Sequence, residues 1–219
     1  MGHCSFWRVQ LFSPRSAQER TVKITNGAAA AVLADGSVVA LGHPAFGGEC
    51  SAVQDQLRNV RHLQSTPSAF AALANGSVVP WVNSTNGGDS SSVQNQLTSV
   101  QQVHATESAF AAILANSSVV TWGTAYEGGD SSSVQHLLKD VKQIQRSNVA
   151  FAAILGDGSV VTWGVPIYGG DSSVQDQLRD FTAAGVHLQR SWQMDPFGHV
   201  AIQPLAGTAL KSKISSDGF

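Results

Sequence analysis

Charge is scarce in this chain. Asp, Glu, Lys and Arg make up 13% of its 219 residues, against roughly 25% in ordinary soluble domains. No Lys/Arg run covers a segment, so nothing in the sequence steers it to nucleic acid. Cysteine is nearly absent, with Cys4 and Cys50 alone. That is too few for a disulfide framework and fits a reducing compartment. No apolar run approaches the length of a membrane span, and the opening MGHCSFWRVQLFSPRSAQER lacks the apolar stretch of a signal peptide. These absences point to an intracellular protein, cytoplasmic or nuclear, that does not engage membranes.

Catalytic constellations are missing too. There is no Gly-x-Ser-x-Gly elbow, no phosphate loop and no dinucleotide fingerprint. The seven histidines fall at unrelated places, and none joins another His or Cys at zinc spacing except His3 beside Cys4. No catalytic, cofactor or metal residue is expected. The acids Glu49, Asp89, Asp130 and Asp171 come one to a unit, which makes no cage for a hard cation. They sit next to serines and are expected to cap the short helices.

What the chain does contain is a repeat. Phe70, Phe110 and Phe151 recur at steps of 40 and 41 residues, and the Gly-Gly pairs beginning at Gly47, Gly87, Gly128 and Gly169 keep the same period. A fixed period in this range indicates stacked supersecondary units. Each unit opens with a short alternating run, such as Val60 to Gln64 or Val141 to Gln145. A continuous apolar run follows, such as Ala109 to Ala115, and then a β-branched run such as Ser159 to Gly164. All three predict strands, the second covered on both faces. Asp35-Gly36, Asn75-Gly76 and Asp157-Gly158 predict tight hairpins between the second and third strands. Asn116-Ser117 replaces that pair in the third copy and predicts a looser or strained turn. Pro80 has no amide to donate, so its strand should lie at an edge or carry a bulge.

The polar end of each unit predicts one or two helical turns. Ser51, Ser91, Ser132 and Ser172 each stand three residues before a glutamine, the spacing of a capping box. Apolar pairs four apart, such as Val53 and Leu57, give each turn a docking side.

Four units are expected over residues 22–57, 60–97, 100–138 and 141–178, with the start of a fifth up to residue 190. Residues 1–21 form an N-terminal extension, in which Phe6 to Leu11 is a candidate closing strand. Residues 191–219 hold a degenerate fifth repeat and a frayed tail. The fold class is all-β, each unit three strands plus a short helical turn, and the period by itself gives stacked β units.

The run Ala153-Ile154-Leu155-Gly156-Asp157-Gly158-Ser159-Val160-Val161-Thr162-Trp163-Gly164 resembles the regulator of chromosome condensation repeat, and the resemblance covers about residues 22–190. It implies a β-propeller, in the family usually of seven blades and here a small or incomplete one, with an open β-solenoid-like stack as the alternative. Some members are guanine-nucleotide exchange factors, others are partner domains of HECT-type ubiquitin ligases, and a bacterial relative with short blades inhibits β-lactamases. This chain departs from the pattern. Its period is short, Gly-Gly-Asp-Ser-Ser replaces the usual sequence after Trp-Gly, and seven blades of about 41 residues would need about 290 residues.

Trp81, Trp122 and Trp163 end the third strands and are expected to pack between units. Shared positions hold the fold, so specificity belongs to positions that vary. These are the loops 43–46, 83–86, 124–127 and 165–168, with Phe46, Asn86, Tyr126 and Tyr168 as binding candidates. The expected function is a non-enzymatic protein-interaction scaffold for an unidentified protein partner, with self-association through open sheet edges. Two alternatives stand beside it: a regulator of a small GTPase or recruiting fragment of a ubiquitin ligase, implied by the resemblance alone, and a truncated array without independent function.

Overall fold

The computed structural model describes residues 21–82, 84–171, 193–194 and 200–201. Four three-stranded antiparallel sheets follow one another along the chain. Blade 1 contains β1 (Val22–Ile24), β2 (Ala28–Val32) and β3 (Val38–Gly42). Blade 2 contains β4 (Val60–Ser65), β5 (Ala69–Ala74) and β6 (Ser77–Val82). Blade 3 contains β7 (Val100–Ala105), β8 (Ala109–Leu114) and β9 (Val119–Gly123). Blade 4 contains β10 (Val141–Arg146), β11 (Ala150–Leu155) and β12 (Val160–Gly164). A short hairpin pairs β13 (Gln193–Met194) with β14 (Val200–Ala201). The candidate strand Phe6 to Leu11, Asn83, Ser172 and most of the fifth unit lie outside the described residues.

Within each blade the sequence order is the spatial order, so the second strand is central. That explains its unbroken apolar run: every residue of β5 is buried. Pro80 lies on β6, an edge strand, where its missing amide costs no ladder bond. Asn75 and Gly76 both have positive φ (52° and 80°), and Ala74 pairs with Ser77, giving a two-residue hairpin. The other three blades use a three-residue loop, closed in blade 1 by Leu33 N–H to the Ser37 carbonyl at 2.8 Å. Asn116-Ser117 makes the same loop, with Leu114 N–H to the Ser118 carbonyl at 2.9 Å. It is not looser. Ser117 takes the left-handed conformation (φ 63°) that Gly36 and Gly158 hold in the other two.

The core lies between blades. Three clusters of buried side chains fill the interfaces of blades 1–2, 2–3 and 3–4. One contact recurs in all three. The glycine after each short 3₁₀ or irregular turn is left-handed, and a Cβ on Gly47, Gly87 or Gly128 would lie 2.4, 2.5 or 2.7 Å from the ring of Phe70, Phe110 or Phe151 in the next blade. Those rings stack on Trp81, Trp122 and Trp163, with centroids 5.0, 5.2 and 5.3 Å apart. Each buried indole N–H then donates to the carbonyl of the same glycine, at 3.3, 2.9 and 3.1 Å. Phe and Trp of one blade thus grip the glycine of the blade before, and only a residue without Cβ leaves room for the ring.

Among the described residues the serine capping boxes are not formed. Turn 51–53 has no side-chain cap bond, and turn 94–96 has Val93 at its N-cap. The polar partner of each glutamine is one residue earlier: Cys50 Sγ, Ser90 Oγ and Ser131 Oγ meet the carboxamide oxygens of Gln54, Gln94 and Gln135 at 3.1, 2.6 and 2.8 Å. Each glutamine Nε2 reaches the carbonyl of Val38, Val78 or Val119. Leu57, Leu97 and Leu138 are buried and anchor the segment. These turns are single 3₁₀ turns or less, too short for an α-helical box, so glutamine binds the turn to the third strand instead.

Candidate partner-binding rim

Each third strand ends in a left-handed residue: Gly42, Val82, Gly123 and Gly164, with φ of 120°, 93°, 105° and 116°. The chain turns sharply there and enters a short turn, Pro44–Phe46, Ser84–Gly88, Ala125–Glu127 or Pro166–Tyr168. A buried hydroxyl at the end of the first strand fixes each turn from below. Thr25, Thr66, Thr106 and Ser147 donate to the carbonyls of Phe46, Asn86, Glu127 and Tyr168 at 2.8, 3.2, 3.1 and 3.2 Å. The loops that vary most in sequence therefore stand on a rigid, repeated base.

The structure separates the four candidates. Phe46, Asn86 and Tyr168 share the position just before the left-handed glycine, while Tyr126 stands one residue earlier in its unit. Phe46 is half-buried, packs beside Gly27 and meets the His43 ring edge-on at 5.7 Å. Asn86 is half-buried and its Nδ2 donates to Ser108 Oγ of the next blade at 3.2 Å. Tyr126 is 66% exposed and Tyr168 44%. The position of Tyr126 is occupied in blade 4 by Ile167, which is 80% exposed and was not singled out from sequence. The loop geometry is its only signal: in blades 1 to 3 the first of the two adjacent residues faces solvent and the second is half-buried, and in blade 4 both are exposed.

Glu127 occupies the inward position in blade 3. Its Oε2 is the buried side-chain oxygen without a hydrogen bond among the described residues. Val149 stands in blade 4 where blade 3 offers Ser108 to Asn86.

Asp89 and Asp130 cap turns. The backbone N–H groups of Ser91 and Ser132 donate to them at 2.8 Å each, and these bonds hold both carboxyls below the usual aspartate range. Their oxygens are thus committed to the fold, and no group of three His, Cys, Asp or Glu able to hold a metal occurs among the described residues.

The sequence matches no family model and no curated protein. Similarity appears among solved structures. Prp20p from Saccharomyces cerevisiae, the yeast RCC1, shares 16% identity over 70% of this chain and 46% of its own, with a TM-score of 0.48. Human WBSCR16 shares 16% over 67% of this chain and 48% of its own, at 0.45. The designed protein Ika4 shares 17% over 75% of this chain and 99% of its own, at 0.40. The chain spans less than half the length of Prp20p.

Proposed function

We propose that this chain is a non-enzymatic protein-interaction scaffold whose partner seats on the rim of blades 3 and 4. The observation that carries this reading is the trio Tyr126, Ile167 and Tyr168. They are three large side chains exposed at 66%, 80% and 44% on neighbouring loops. The equivalent exposed positions in blades 1 and 2 are the small Ala45 and Thr85. Rigid aromatic and aliphatic anchors on a fixed base lose little entropy on binding, which is the character of interface hot spots. Phe46 and Asn86 support the rim from within. Repeat arrays present such surfaces by varying loop residues over shared packing positions.

The test is affinity capture with quantitative mass spectrometry, using wild type, the Tyr126→Ala/Ile167→Ser/Tyr168→Ala variant and an Ala45→Ser/Thr85→Ala control. A specific partner is expected with wild type and the control and is lost with the triple variant. Equal capture by all three would contradict the assignment.

A further inference from the structure

The first strands of the blades lie side by side, and each of β4, β7 and β10 opens with a break in register, between Val60 and His62, Val100 and Gln102, and Val141 and Gln143. A bulge re-aims the side chains that follow it. Val60 and Leu63 go into the core shared with blade 1, while His62 and Gln64 line an open cleft against blade 3. The cleft has a volume of about 600 Å³ and is lined on its polar side by Arg61, His62, Gln64, Gln101, Gln102 and His104. No carboxylate and no Phe, Tyr or Trp ring lines it.

Further cations stand along the same strands. Lys23 on β1 acts electrostatically on His62, and Arg146 on β10 acts on His104. Elsewhere basic side chains meet acids, as in Arg58 with Asp55 and Lys142 with Asp140, but Lys23, Arg61 and Arg146 take part in no ion pair among the described residues. Glu107 is the one carboxylate in the adjoining hollow, beside Arg146. Linear sequence hides this grouping because the cations are contributed one at a time by blades 1, 2 and 4.

We propose that the inner cleft between blades 2 and 3 binds an acidic peptide segment. Arg61 presents a fork suited to a carboxylate. The carboxamides of Gln64 and Gln102 are already placed against His62 and His104, at 3.1 and 3.3 Å, and offer donors and acceptors to an extended backbone. With no Phe, Tyr or Trp, the cleft lacks the large stacking platforms that single-stranded nucleic-acid sites use, and its paired glutamine carboxamides suit an extended peptide backbone better. Burial first, and then His62 and Arg146, push the His104 imidazole down to about 4. A carboxylate entering the cleft reverses that charge balance and favours the imidazolium, so binding takes up protons. The site is separate from the Tyr126 rim and does not rest on it.

The experiment is fluorescence anisotropy on the full chain with a labelled short poly-glutamate peptide, alongside a labelled single-stranded oligonucleotide. The peptide is expected to bind, with affinity falling steeply as salt rises. Arg61→Gln/Arg146→Gln is expected to weaken it by about tenfold or more, and Tyr126→Ala to leave it unchanged. NMR of the His104 ring is expected to show titration moved to higher pH with peptide present. His104→Gln, which installs the residue blades 2 and 4 carry at that position, abolishes this proton uptake while the unfolding midpoint at neutral pH is kept. Absence of peptide binding at low salt, undiminished binding by the double variant, or tighter binding of the oligonucleotide would each overturn the proposal.

Discussion

At the scale of single residues the interface is decided by glycine and tryptophan. Gly128 has φ +100° and a Cβ there would lie 2.7 Å from Phe151, whereas Gly76 has φ +80° and a Cβ there would meet Ser99 only at ordinary contact distance, 3.8 Å. Gly76→Ala therefore carries only the left-handed penalty of about 1–2 kcal/mol. Gly128→Ala adds overpacking of about 1–3 kcal/mol, and denaturant unfolding of the two variants measures the difference. Trp163→Ala is expected to cost about 3–5 kcal/mol in the same assay, and a loss below about 1 kcal/mol would remove it from the core. His104 gives a pH dependence with a definite sign. It is depressed to about 4 from an ordinary 6.5, so between those values the unfolded chain holds more protons than the folded one. Stability is full above pH 6.5 and falls as pH drops toward 4. Thermal unfolding across that window is expected to flatten in His104→Gln. None of these environments is written in the residue itself. The period marked Trp163 as shared, but its partner Gly128 is visible only through the constant offset from each Gly-Gly pair to the next phenylalanine.

At the scale of the element, strands and hairpins were legible and the turns less so. Apolar runs and Asp-Gly pairs placed the strands because each strand's burial follows from its place in a three-stranded sheet. The turn 51–53 was misread because Ser51 and Gln54 satisfy a capping-box spacing that short 3₁₀ turns do not use. Cys50, Ser90 and Ser131 carried the real signal, a small polar residue four before each glutamine. The third-blade hairpin invites a direct test. Ser117 holds φ 63° where blades 1 and 4 have glycine. Ser117→Gly is expected to stabilise the chain by about 0.5–1 kcal/mol, the relief of left-handed strain less the entropy glycine adds to the unfolded chain. An unchanged or lower midpoint in urea would show the turn to be unstrained.

At the scale of the molecule, the repeat explains why one face is exposed. On blade 1, Ala29 and Leu41 occupy the pairing positions of Phe70 and Trp81, and Val22 and Val39 those of Leu63 and Val79. In blade 2 these four are buried against the preceding blade, while in blade 1 Val22, Val39 and Leu41 are 57%, 43% and 67% exposed. An apolar face of this kind favours association, so Leu41→Lys/Val22→Lys is expected to lower the concentration-dependent mass seen by light scattering. The sequence made this end legible through its eroded first copy. The inner cleft and the Tyr126–Tyr168 rim were not legible in the same way, since each is assembled across blades. The central claim is that blades 2, 3 and 4 each grip the one before through an indole donating to a glycine carbonyl. Hydrogen exchange of the tryptophan indole N–H groups, followed by NMR, tests it most directly. The account predicts that Trp81, Trp122 and Trp163 exchange slowly and together, at rates near those of the central-strand amides. Exchange of these three at the rate of a free indole would contradict it.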